Sequence, residues 1–122
     1  MKIKEIAFVC YAVTDVKRAR NFYEKILRLV PTSVFEKDSS AFIEYEIGPS
    51  TLAIGAGAPT FSPGKNGATV AFEVDDFDRA IKELKTEKIK FMMEAYDGPV
   101  CNMALIEDPD GNRMMIHRRK KK

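Results

Sequence analysis

A chain of 122 residues has room for one compact domain and too little for two independent ones, which excludes catalytic machinery that needs a second domain. Lys and Arg number 20 against 18 Asp and Glu, a net +2, yet five of the basic residues are the last five of the chain. Taking 5 from 20 leaves 15 against 18, so the body stands at −3; that argues against a phosphate-binding face, because nucleic-acid modules gather Lys and Arg on one surface. No nucleic-acid partner is expected. Cys10 and Cys101 are far apart and form no CxxC pair, so neither a zinc ribbon nor a thioredoxin-type motif is available. A reduced, cytoplasmic protein is the default reading.

The apolar stretch IAFVCYAV, residues 6–13, is too short to cross a bilayer. It runs into Thr14-Asp15 rather than a small-residue cleavage site, so it is read as a buried strand, and no membrane partner is expected. Thr14 or Asp15 can cap a helix whose buried stripe is Val16, Ala19, Phe22, Tyr23, Ile26 and Leu27. Short strands follow at about 33–36, 41–47 and 51–55, separated by KDSS and GPS turns. Residues 56–66, rich in Gly, Pro, Ser and Thr, read as a linker. A strand ending at Val74 then leads to Asp75 or Asp76 as a cap and a helix with Phe77, Ala80, Ile81 and Leu84 on one face. Strands at about 89–95, 101–107 and 113–118 complete the order, with turns at 96–99 and 108–112. The RRKKK end reads as a solvated, disordered tail over 118–122, a weak anionic-surface contact being the alternative.

The chain repeats itself. VTDVKRA at 13–19 and VDDFDRA at 74–80 lie 61 positions apart, half of 122, and each copy ends a strand and opens a helix. Each half is strand, helix, strand, strand, strand, with module 1 at about 1–58 and module 2 at about 66–118.

This order, with VTDVKRARNFYEKIL in the first half and FEVDDFDRA plus DPDGN in the second, resembles the vicinal oxygen chelate superfamily. That group holds glyoxalase I, extradiol dioxygenases, methylmalonyl-CoA epimerase and the fosfomycin and bleomycin resistance proteins. The resemblance covers essentially the whole chain as one glyoxalase/bleomycin-resistance-like domain. It implies an α+β fold of two βαβββ modules in tandem, with sheets curled around a shared cleft and the chain in a homodimer. It does not imply one reaction. Arg28 stands where the relatives carry a glycine after the first helix.

Neighbouring side chains on a strand point to opposite faces, one meeting the helix and the other lining the cleft. In the first strand Ala7, Val9, Tyr11 and Val13 form one set, and Phe8, Cys10 and Ala12 the other. With Leu52 and Ile54 in the core, Thr51, Ala53 and Gly55 face the cleft; with Val70, Phe72 and Val74 in the core, Thr69, Ala71 and Glu73 do. In the last strand Met114 and Ile116 belong to the core, which sends Arg113, Met115 and His117 to the cleft. The lining is small or apolar at its centre and polar toward its ends.

The resemblance places the metal ligands of the relatives on Phe8, Ala53, Thr69 and Met115. A divalent cation needs three or four nitrogen, oxygen or thiolate donors. Phe8, Ala53 and Met115 supply none, so neither a metal nor another cofactor is expected. The remaining strong donors on inward faces are Cys10, Glu73 and His117, joined by Glu44 and Glu46 if that strand presents its even-numbered face. His117, the sole histidine, reads as an exposed strand-end residue ahead of a ligand, and Cys10 as a small buried apolar residue ahead of a nucleophile. Glu73 is either a solvated strand-end carboxylate or a ligand-orienting group or general base. There is no GxGxxG, Walker loop or GxSxG; Gly55-Ala56-Gly57-Ala58 lacks the helix and the Lys-Ser/Thr pair that phosphate cradling requires.

Three functions fit. The preferred one is metal-independent binding of a small, largely apolar or aromatic molecule, as in drug-binding resistance proteins, with Phe8, Met115, Ala12, Ala53 and Ala71 shaping the cavity and Thr69, Glu73 and Arg113 orienting the ligand. Methionines of the second half that reach the cleft would add an adaptable apolar wall. The alternatives are an isomerase, lyase or dioxygenase with a displaced metal or with Glu73 as a metal-free base, and a ligand-free structural or regulatory dimer.

Overall fold

In each half, a first strand delivers the chain to an aspartate cap, a helix carries it back, and three antiparallel strands follow. The computed structural model describes residues 2, 6–57, 62–64, 66–67 and 69–120. Residues 58–61 and 65 of the expected linker, and Lys121 and Lys122 of the tail, lie outside them. The chain divides into two compact units, Met1–Pro63 and Gly64–Lys122.

The first unit holds β1 (Val9–Ala12), α1 (Val16–Arg20) running on as a π-helical turn (Asn21–Ile26), β2 (Pro31–Lys37), β3 (Ser40–Ile47) and β4 (Ser50–Ala56). The second holds β5 (Val70–Glu73), α2 (Phe77–Thr86), β6 (Phe91–Asp97), β7 (Cys101–Glu107) and β8 (Arg113–Arg119). The sheets have matching orders, β1-β4-β3-β2 and β5-β8-β7-β6, with the first pair of each parallel and the others antiparallel. These are two tandem βαβββ modules of an α+β fold.

Capping is the same in both copies. Asp15 Oδ1 accepts from the Arg18 amide at 3.0 Å, and Asp76 Oδ1 accepts from the Arg79 amide at 3.1 Å, so in each Thr-Asp or Asp-Asp pair the second residue is the cap. The buried stripes match their 3.6-residue period. Ala19, Phe22 and Tyr23 lie against Tyr11, Ile43, Tyr45, Leu52 and Ile54 in the first core, while Phe77 and Leu84 join Ala104, Ile106, Met114 and Ile116 in the second. Tyr45 stacks on Tyr23 with ring centroids 6.1 Å apart, and its hydroxyl donates to Glu24 Oε2 at 2.9 Å. Arg20 grips the same carboxylate with Nε at 2.6 Å and Nη2 at 3.2 Å, so the buried phenol has a partner that is itself held. Burial, followed by the bond to Glu24, pushes the Tyr45 pKa well above its ordinary value.

Three expectations need correction. The first strand begins at Val9, not Ile6; Ile6, Ala7 and Phe8 are exposed, and the parallel pairing with β4 starts at Val9 and Leu52. The basic tail is not simply solvated. Arg118 and Arg119 are the last residues of β8, the Arg118 guanidinium bonds the Asp75 carbonyl, and the Lys120 ammonium bonds Asp97 and the Gly98 carbonyl. The first helix is also not a plain α-helix. From cap to the left-handed residue that ends the helical run there are 13 steps in the first copy, Asp15 to Arg28, and 12 in the second, Asp76 to Lys88. The extra residue is absorbed by widening the turn, as the Leu27 amide bonding back to the Phe22 carbonyl shows.

Arg28 (φ 62°) and Lys88 (φ 58°) both occupy the left-handed region that glycine fills at low cost. Arg28→Gly and Lys88→Gly should each raise unfolding free energy by about 0.5–1 kcal/mol, since relief of the Cβ clash outweighs the extra unfolded-state freedom. Urea denaturation checks this.

Candidate functional site

A single helix covers one face of each sheet, and the opposite face is where the residues chosen from sequence lie. In the second unit the registers lay out that face row by row. Ala71 stands beside Met115, Met115 beside Leu105, and Leu105 beside Met93, a strip without a charge. The next row runs Glu73, His117, Met103, Tyr96. At the other end Arg113 stands opposite Glu107, with Nε 3.2 Å from Oε2, and Thr69 lies exposed just ahead of β5.

Glu73 and His117 are joined directly. The imidazole Nδ1 is 2.6 Å from Glu73 Oε1, while Glu73 Oε2 accepts from the Arg119 amide, also at 2.6 Å. The backbone bond from Arg119, then the bond from His117, pulls the Glu73 pKa below its ordinary value. A carboxylate held ionised in this way is a weakened base. The reading of His117 as an exposed strand-end residue is corrected: its side chain is only 20% exposed, because β8 continues past it and Glu73 closes over one ring edge.

The first unit presents its own open face. Cys10, Ala53, Glu44 and Ser33 form one row across the sheet, and Ala12, Gly55, Phe42 and Phe35 the next. Thus β3 does present its even-numbered side here. Ala53 and Gly55 are buried; Cys10, Ala12, Phe42 and Glu44 are half-buried; Phe8 is exposed and meets Phe42 edge-on at 5.5 Å. Burial raises the Cys10 thiol pKa, and its Sγ is 3.6 Å from the Tyr11 carbonyl, which favours the thiol over the thiolate.

Phe42 was not named from sequence, although the burial of Ala41, Ile43 and Tyr45 would have sent it to this face. Met93 and Met103 were named only among the methionines that could reach this face, and Leu105 and Tyr96 were not named; for the two residues on β7 the reason lies in the strand itself. In CNMALIE both alternating sets contain apolar residues, so period alone does not choose between them. Two surface grooves among the described residues, of about 450 Å³ over Arg20, Glu24 and Glu36 and about 470 Å³ over Asp76, Phe77 and Arg118, hold none of the residues chosen from sequence. Their walls carry charges of both signs, several already engaged with one another or with backbone.

The sequence model of the Glyoxalase/Bleomycin resistance protein/Dioxygenase superfamily matches residues 5–116. The chain belongs to this superfamily. No curated protein matches the sequence. Among solved structures the chain is similar to SMU.1112c, at 22% identity and TM-score 0.79 over 95% of this chain and 99% of that one. It is also similar to TnmS3, an antibiotic binding protein from Streptomyces sp. CB03234, at 19% and 0.81 over 98% and 99%. A glyoxalase/bleomycin resistance protein from the same Streptomyces is similar at 18% and 0.71, over 89% and 97%. These likenesses concern the fold.

At the four positions where the resemblance puts metal ligands, the side chains present do not make a donor set for a divalent cation. Phe8, Ala53 and Met115 have no hard donor, and one Thr69 hydroxyl cannot replace a cation's water. Among the described residues no three of His, Cys, Asp and Glu come together. Also among the described residues, no helix is long and apolar enough to cross a membrane.

Because the folded-state pKa of Glu73 is lowered, its stabilising effect is present above the ordinary glutamate value and is lost as pH falls through the lowered one. Wild type should therefore melt above Glu73→Gln near neutrality, with the gap closing on acidification below the ordinary glutamate value. Melting curves from about pH 7 to about pH 3 read this directly.

Proposed function

We propose that the protein binds a small, largely apolar or aromatic molecule on the open faces of its sheets, without a metal, and acts by binding rather than turnover. The observation that carries this is the uncharged strip Ala71, Met115, Leu105, Met93, bordered by Glu73 with His117 at one end and Arg113 with Glu107 at the other. Apolar area supplies affinity and a few fixed polar groups supply orientation. Thioether side chains adjust to a flat or irregular ligand. In the first unit, Phe8 and Phe42 with the small residues Cys10, Ala12 and Ala53 offer an apolar wall of the same kind. Thr69, Glu73 and Arg113 are assigned to orientation.

The fold is one that TnmS3, an antibiotic binding protein, also has, which is in keeping with this reading. The lowered Glu73 pKa counts against a metal-free reaction in which Glu73 removes a proton, since a weaker base does that work poorly. We place the protein in the reduced cytoplasm as a homodimer, the first in keeping with two separate free cysteines and the second with its superfamily.

A thermal-shift panel of planar aromatics and hydrophobic antibiotics tests the reading. A ligand at a hundred times its Kd should stabilise the folded chain by about 2.7 kcal/mol. Met115→Lys, at the centre of the strip, should weaken that ligand by about tenfold or more while leaving the core intact, because Met115 is outside it. Titration with nickel, zinc, manganese and iron(II) should find no stoichiometric site. Tight binding of one metal, or no response across the panel, overturns the proposal.

A further inference from the structure

The uncharged strip explains why an apolar ring would settle on the second sheet but not which ring. The groups that could choose are at its border, and the pair Glu73 and His117 holds one ring nitrogen that its own hydrogen bond does not use. Both oxygens of Glu73 are committed, Oε1 to His117 and Oε2 to the Arg119 amide. An ionised carboxylate has only acceptor sites, so in its bond to Glu73 Nδ1 carries the hydrogen. In the neutral imidazole that leaves Nε2 as a bare acceptor, and it has no partner among the described residues.

The surroundings of that nitrogen narrow the ligand. Met103 is the register partner of His117 on β7, Met115 precedes it by two residues on the same face of β8, and Tyr96 closes the row on β6. Thioethers pack well against aromatic ring edges. The ionised Glu73 disfavours a second anion close by. A bare nitrogen acceptor beside thioethers therefore suits a neutral ring bearing an acidic hydroxyl.

We propose that His117 is the specificity-determining residue of this face: its Nε2 accepts a hydrogen bond from the hydroxyl of a phenolic or enolic ligand whose ring lies against Met103 and Met115. Glu73 acts through His117 as a positioning residue, setting the tautomer. This deepens the binding reading above and rests on it.

The chain has one histidine, so imidazole nitrogen resonances of the labelled protein are unambiguous. Two probes differing only in the hydroxyl, naphthalene and 2-naphthol, are titrated into the wild-type chain. The expected result is an Nδ1–H tautomer in the free protein, a shift of the Nε2 resonance with 2-naphthol and not with naphthalene, and about tenfold tighter binding of 2-naphthol. His117→Phe should remove the hydroxyl preference, so that the two probes bind with equal affinity. Glu73→Ala should lower the Nδ1–H tautomer population and the hydroxyl preference together, which a merely structural role would not do. Equal affinities with an unmoved Nε2 resonance overturn the inference and leave the binding reading standing; binding of neither probe overturns this inference, and silence across the wider thermal-shift panel overturns the reading beneath it. The resonance arm needs only the wild-type chain and decides the question even if a variant fails to fold.

Discussion

Each unit depends on one helix closing one face of a four-stranded sheet, held there by the parallel pairing of the strand before the helix with the last strand of the unit. A strand that must enter a helix at an aspartate cap and later receive a parallel neighbour has little freedom of register. Cys10 falls beside Ala53 and Glu73 beside His117 for that reason. One helix also has a limited buried stripe. It covers Tyr45, Ile54 and Leu52 in the first unit and Met114 and Ile116 in the second, and it leaves the alternate residues of the same strands on the other side. The open faces thus follow from the number of helices, and their apolar content is the part that calls for a functional explanation.

Much of this was legible because the informative signals are local. The repeat of VTDVKRA and VDDFDRA located both caps to within one residue, and the alternation in β4 and β8 put Leu52, Ile54, Met114 and Ile116 in the core, where they are buried. The π-helical turn was not legible. One added residue shifts the buried stripe by a fraction of a turn, and Phe22, Tyr23, Ile26 and Leu27 satisfy either winding. It becomes visible only when the cap and the left-handed residue are compared between the two copies.

The remaining misses share a physical origin in pairing across the sheet. Charge counting reads Arg118, Arg119 and Lys120 as a solvated run, but Asp75, Asp97 and the Gly98 carbonyl meet them from distant parts of the second unit. His117 likewise reads as peripheral until β5 brings Glu73 to it over 44 positions of sequence. Long-range partners change the meaning of a charged residue more than that of an apolar one, because an apolar side chain needs only a crowded neighbourhood while a charged one needs a particular atom.

That dependence decides how the acidic and imidazole groups of the second face divide their roles. Taken alone, Glu73 is the stronger candidate for proton chemistry, being a carboxylate at the end of an apolar strand. Once the Arg119 amide and His117 are on its two oxygens, its negative charge is stabilised and its appetite for a proton falls. The same bonds fix the orientation of the imidazole and turn its far nitrogen toward use. In the binding role proposed for this face, recognition would pass from the residue with the charge to the residue beside it, with the carboxylate as the fixed support against which the ring is set.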